Sequence, residues 1–208
     1  MQSTIYKLIE FFLIFVMTPI CFAIEFPVWI KMGIGVIGFA YIIFVLFKVE
    51  SNKFKIAQHL NWKQFWKRTL LQLVGIAILT SIYVSIFDLK NLFIMPIHKP
   101  LVWVIILFVY SVFSVYPQEL IYRTFFFQRY QSLFKNESLF IIVNAALFSL
   151  AHLFFRNTLV MILTFIGGIL FALTFKKTKS TLLVSIEHAI YGCWLFTVGM
   201  GEMLGFPT

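Results

Sequence analysis

The sequence predicts an all-α, polytopic membrane protein of about seven transmembrane helices with a polar site inside the bundle. Two observations carry that prediction. Of its 208 residues, 61% are hydrophobic and only 12% are charged. The apolar residues also fall in runs long enough to cross a bilayer. A soluble domain of this size carries about a quarter charged residues and keeps much of its surface in water, which a chain with 27 Phe cannot do. Lipid is therefore the expected solvent, in keeping with a mean hydropathy of +0.95. The spans consume most of the chain, so residues 1–208 are expected to form a single integral membrane domain.

A spanning helix needs about 20 apolar residues. The candidate runs are 8–24, 28–47, 69–87, 101–127, 138–155, 158–175 and 181–198. The first follows Lys7 and ends near Cys21-Phe22-Ala23, a pattern that also fits a cleavable leader. Glu10 within the run and the second span directly after it favour a retained helix.

The formal charge of +9 is distributed between the runs, where it sets orientation and meets anionic lipid; no nucleic-acid partner is expected. One side of the membrane receives Lys7, Lys48, Lys53, Lys55, Lys63, Lys67, Arg68, Arg129, Lys135, Lys176, Lys177 and Lys179. The other receives Lys90, Lys99 and Arg156, with Lys31 near a helix start. The asymmetry predicts a cytoplasmic N-terminus and an external C-terminus. The basic, aromatic segment 48–68 is expected to lie as a helix in the interface. Gly167-Gly168 is expected at a close helix contact. Cys21 and Cys193 read as small buried hydrophobes.

Ionisable groups within spans are expensive and usually functional. Glu119, Arg123, His152 and His188 stand out, with Glu187 beside the last. Glu119 and Arg123 are four apart and share a helix face, just after Pro117, which breaks the backbone ladder. At 1.5 Å per residue, Glu119 lies about 15 Å, His188 about 11 Å and His152 about 21 Å along their helices from the cytoplasmic side. A polar pocket below that surface is expected. Two imidazoles and a carboxylate can hold a divalent metal such as Zn with a water. Without metal, a carboxylate can activate water while histidines stabilise an oxyanion. Either scheme hydrolyses a peptide bond.

Gln118-Glu119-x-x-x-Arg123, Phe148-x-x-x-His152 and His188-x-x-x-Gly192 resemble, in order, the motifs of the CAAX-protease and bacteriocin-processing family of membrane proteases. Those motifs read Glu-Glu-x-x-x-Arg, Phe-x-x-x-His and His-x-x-x-Asn or a similar final residue. The resemblance spans about residues 100–200 and implies a helical intramembrane endopeptidase acting on membrane-associated proteins or peptides. The family's first glutamate, credited with activating water, falls at Gln118, so Glu119 is expected as base or its close support and Arg123 as the group orienting it. His152 and His188 would bind metal or stabilise the oxyanion, and Gln118 would hold water or the substrate backbone. Two positions depart from the pattern: Gln118 replaces the first Glu, and Gly192 replaces the usual Asn. The departures leave three readings open. Glu119 has become the base, Glu187 supplies the missing carboxylate, or the chain binds without cutting, as a scaffold or immunity-type protein. A small transporter is a further alternative.

Overall fold

The computed structural model describes residues 3–52, 56–57 and 59–205. Among them there is no strand, and seven helices are long and apolar enough to cross a membrane: α1 (Thr4–Ala23), α2 (Val28–Val49), α3 (Trp62–Phe87), α4 (Pro100–Leu133), α5 (Glu137–Phe155), α6 (Thr158–Thr178) and α7 (Thr181–Val198). The chain is an integral, multi-pass membrane protein. A short helix, Ile94–His98, precedes α4.

Local sequence explains where the helices start. Asn61, Asn136, Asn157 and Ser180 each accept a hydrogen bond from a first-turn amide of α3, α5, α6 and α7. Such caps satisfy donors that the helix itself leaves unpaired. The helices α6 and α7 end on Lys179 and Gly199 in the left-handed region, with φ of 51° and 108°.

Two elements differ from the sequence reading. The cap at Asn61 starts α3 at Trp62, so Trp62–Arg68, expected in an interfacial helix, form the first turns of a spanning helix. Lys53, Phe54 and Lys55, the middle of that expected helix, lie outside the described residues. The fourth span extends past residue 127 to Leu133, giving α4 a length of about 50 Å, beyond the hydrocarbon core of about 30 Å. The extension is anchored by charge. Arg129, 1% exposed, donates to Glu10 at 2.7 Å and to Glu50 at 2.8 Å. Tyr130 donates to the same Glu10 at 2.9 Å, and Tyr41 does so from α2. Glu10 thus ties α1, α2 and α4 together. Around this network an aromatic core of Phe15, Phe125, Phe126 and Phe140 packs edge-on or stacked, with Phe15–Phe126 centroids 5.1 Å apart.

Helix α5 packs closely on α6 at Gly168. A Cβ built on Gly168 would sit 2.9 Å from the Ala145 Cα. Gly168 alone supplies this approach; Gly167 faces Phe171 and the internal cavity. Gly168→Val should therefore force the two helices apart and cost about 1–3 kcal/mol, read as a lowered unfolding midpoint in detergent. Gly75→Val, whose Cβ meets nothing within 4 Å, is the matched control expected to hold its midpoint.

Candidate active site

Helix α4 carries the first motif in an unusual backbone. Tyr116–Glu119 is a short α-helical stretch containing Pro117, set between π-helical turns at Tyr110–Val115 and Leu120–Phe125. Pro117 lacks the N–H an unbroken helix would use, and the wider turns change which faces the flanking residues present. Glu119 thereby points at α7 and is fully buried.

The centre of the site is a carboxylate–imidazole pair. Glu119 Oε1 lies 2.7 Å from His188 Nδ1. The other carboxylate oxygen faces Arg123 Nε at 3.3 Å. A carboxylate accepts from Nδ1–H, which leaves the His188 Nε2 lone pair as an acceptor. The Tyr110 hydroxyl lies 3.2 Å from that nitrogen. The imidazole plane is held by Phe171, stacked at 4.3 Å, and by the edge contact of Phe148 at 5.7 Å.

Arg123 is held through one guanidinium nitrogen and a ring contact, while its Nε and Nη2 have no hydrogen-bond partner among the described residues. Its Nη1 donates to Asn144 Oδ1 at 2.8 Å and to the Tyr122 carbonyl at 3.2 Å, and its Cζ sits 4.8 Å from the Phe148 centroid. Asn144 in turn donates to the Tyr122 carbonyl at 2.7 Å. A buried guanidinium needs this pairing, because an isolated charge at this depth is costly.

His152 lies just past the α-helical part of α5, ahead of the 3-10 turn Leu153–Phe155. Its Nδ1 donates to the Phe148 carbonyl at 2.8 Å, which leaves Nε2 as an acceptor. Phe148, first residue of the second motif, therefore orients His152, His188 and Arg123 together. Gln118 donates to Ser114 Oγ at 2.8 Å, and its buried Oε1 has no hydrogen-bond partner among the described residues.

Tyr110, Gln118, His152 and His188 all line a cavity of about 410 Å³. Its wall is otherwise mainly apolar and draws on all seven helices, including Thr18 and Phe22 of α1, Gly35 and Ile42 of α2, and Ile76 of α3. Glu119 and Arg123 stand behind this wall and reach the cavity through His188.

Glu187 takes a different direction. It is fully buried, accepts from Tyr191 at 3.0 Å, and lies 3.7 Å from Arg68 Nη2. Arg68 also donates to Thr174, so Glu187 joins α3, α6 and α7 and is not on the cavity wall. The step of about 100° between successive helical residues sends Glu187 and His188 to different neighbours. The reading of Glu187 as a replacement carboxylate is corrected accordingly.

Among the described residues no three or more His, Cys, Asp or Glu side chains come together as metal ligands. His152 and His188 offer two imidazole lone pairs, while both oxygens of Glu119 are turned to His188 and Arg123. This falls short of the three protein ligands a catalytic zinc takes, so no step is routed through metal.

Sequence reasoning missed two residues, Asn144 and Tyr110. Asn144 carried a signal, as an amide within an apolar run. Tyr110 carried none, because one Tyr in an aromatic-rich span has no distinguishing pattern.

Fold and site together define a polytopic membrane protein in which a buried carboxylate presents an imidazole to an internal, largely apolar chamber. Residues 100–194 match the family model described as type II CAAX prenyl endopeptidase, Rce1-like, a membrane protease family and the one the three motifs resemble. No curated protein and no solved structure matches the chain.

Proposed function

We propose that the protein is an intramembrane endopeptidase that cuts membrane-associated proteins or peptides by a water activated at His188. The observation that carries this reading is the 2.7 Å Glu119–His188 pair, with the opposite edge of the imidazole, Nε2 beside the Tyr110 hydroxyl, on the cavity wall. Nε2 takes a proton from water as the oxygen attacks the scissile carbonyl, and later returns it to the leaving amine. Glu119 holds the ring in the required tautomer and stabilises the imidazolium, a role that suits a carboxylate shielded from the cavity. Arg123 fixes Glu119. His152 Nε2 and Gln118 Oε1, both acceptors, hold the remaining water hydrogen and a substrate N–H. Gln118 does not act as a base, since an amide nitrogen is not basic, and the dyad behind it makes a second carboxylate unnecessary.

The apolar wall suits a substrate segment arriving from the lipid. The family description makes a prenylated CAAX peptide the first defined substrate to try. The loop charges support a cytoplasmic N-terminus, which would put the catalytic pair nearer the cytoplasmic face. The core at about residues 100–200 supplies the chemistry within one membrane domain.

The test compares protein termini in membranes of cells lacking the protein, complemented with wild type, Glu119→Gln or His188→Ala. Termini that appear with wild type and vanish with both variants are expected. Identical termini at equal expression would overturn the peptidase reading and favour a binding protein.

A further inference from the structure

Gly192 lies one turn beyond His188 on the same face of α7. A Cβ at this position would overlap the ring and hydroxyl of Tyr110 on α4. The lack of a side chain at 192 is what allows the phenol to reach His188 Nε2, at 3.2 Å. The ring is held edge-on to Phe196 at 4.8 Å, at the start of the π-helical turn Tyr110–Val115, and it lines the cavity. Since Nδ1–H is directed to Glu119, Nε2 accepts and the Tyr110 hydroxyl donates.

We infer that Tyr110 is a catalytic residue, the donor that binds the oxyanion, and that Gly192 serves to leave it room. The inference rests on the peptidase reading above. In the resting site the phenolic hydrogen is aimed at Nε2. Nε2 has one lone pair, so the phenol leaves it as the water proton arrives. During attack, the Tyr110 O–H turns, keeping its proton, from Nε2 to the carbonyl oxygen as negative charge builds there. The water oxygen forms a bond to the carbonyl carbon, the water proton passes to the vacated Nε2, and the carbonyl π pair moves onto oxygen. When the C–N bond breaks, the oxyanion reverts to a carbonyl, the nitrogen takes the proton from Nε2, and the phenol returns to the imidazole. The hydroxyl thus binds the transition state more strongly than the ground state, the property an oxyanion donor requires.

The test uses full-length protein in proteoliposomes and an internally quenched peptide copied from a wild-type-dependent cleavage site. Tyr110→Phe keeps the ring packing and should lower kcat by about 10²–10³-fold, with KM changed less than about twofold and the unfolding midpoint kept. Gly192→Ala should cost a similar factor by displacing the phenol. Because both variants remove one donor, the double variant should be no slower than the slower single. A Tyr110→Phe rate within about threefold of wild type, beside an inactive Glu119→Gln, would overturn the inference while leaving the peptidase reading standing. Multiplying losses in the double variant would overturn it too. Full activity in Glu119→Gln would instead bring down the dyad reading and Tyr110 with it.

Discussion

Glu119→Gln is expected to reduce turnover about 10⁴-fold in a protein that still folds, the scale of loss when the carboxylate behind a catalytic imidazole becomes an amide. The change is nearly isosteric, so the amide side chain still fills the space between His188 and Arg123. It cannot stabilise a positive imidazolium, and its nitrogen can impose the wrong tautomer on the ring. The same geometry sets the result for the partner: His188→Gln should cost about as much, and the pair together no more than either alone, since the two act as one unit. Single-turnover kinetics on the quenched peptide would measure this, with the unfolding midpoint recorded for each variant. A Glu119→Gln enzyme within about tenfold of wild type would show that the 2.7 Å pair is structural.

Arg129→Met is expected to destabilise the fold by about 3–5 kcal/mol, because it leaves Glu10 buried without its cation. Glu10 meets Arg129 through two hydrogen bonds, at 2.7 and 3.2 Å, and is only 6% exposed. The side chain of Glu50, the second partner, is 20% exposed against 4% for that of Glu10 and contributes less. The triple variant Glu10→Leu, Arg129→Met, Glu50→Leu should recover most of the loss, since an apolar replacement of a complete buried ion network is often close to neutral. Reversible unfolding in mixed detergent would read both. A single variant as stable as wild type would show that water reaches Glu10 and that the network is solvated.

Much of the fold was legible because a span is a sum. Hydropathy averaged over a window is insensitive to where each side chain points, so seven spans could be read although most ends shifted, the start of α3 and the end of α4 furthest. The Glu119–Arg123 pairing was legible for a local reason, the four-residue spacing on one helix. The meeting of Glu119 with His188 was less so, because it depends on the phase of α4. The π-helical turns at Tyr110–Val115 and Leu120–Phe125 alter that phase, and a pattern read at 3.6 residues per turn does not contain them. Tyr110 was hidden for the same reason. Its partner is a missing atom, the Cβ absent from Gly192, and sequence shows a glycine without showing what fills the space beside it. Glu187 shows the converse: adjacency to His188 in sequence suggested a shared site, whereas the helix turned it toward Arg68.

The cavity wall also divides responsibility along the chain. Tyr110, Gln118, His152 and His188 come from α4, α5 and α7, within the stretch that matches the protease family, while Ile14, Phe22, Gly35, Gly38 and Ile42 come from helices that precede it. The reactive groups are held by short hydrogen bonds and tolerate little change. The front of the chamber is apolar packing, which accepts exchange of side chains of similar volume. On the proposed peptidase reading, exchanging apolar side chains of α1 and α2 should alter which segments the chamber accepts while leaving Tyr110, Gln118, His152 and His188 in place.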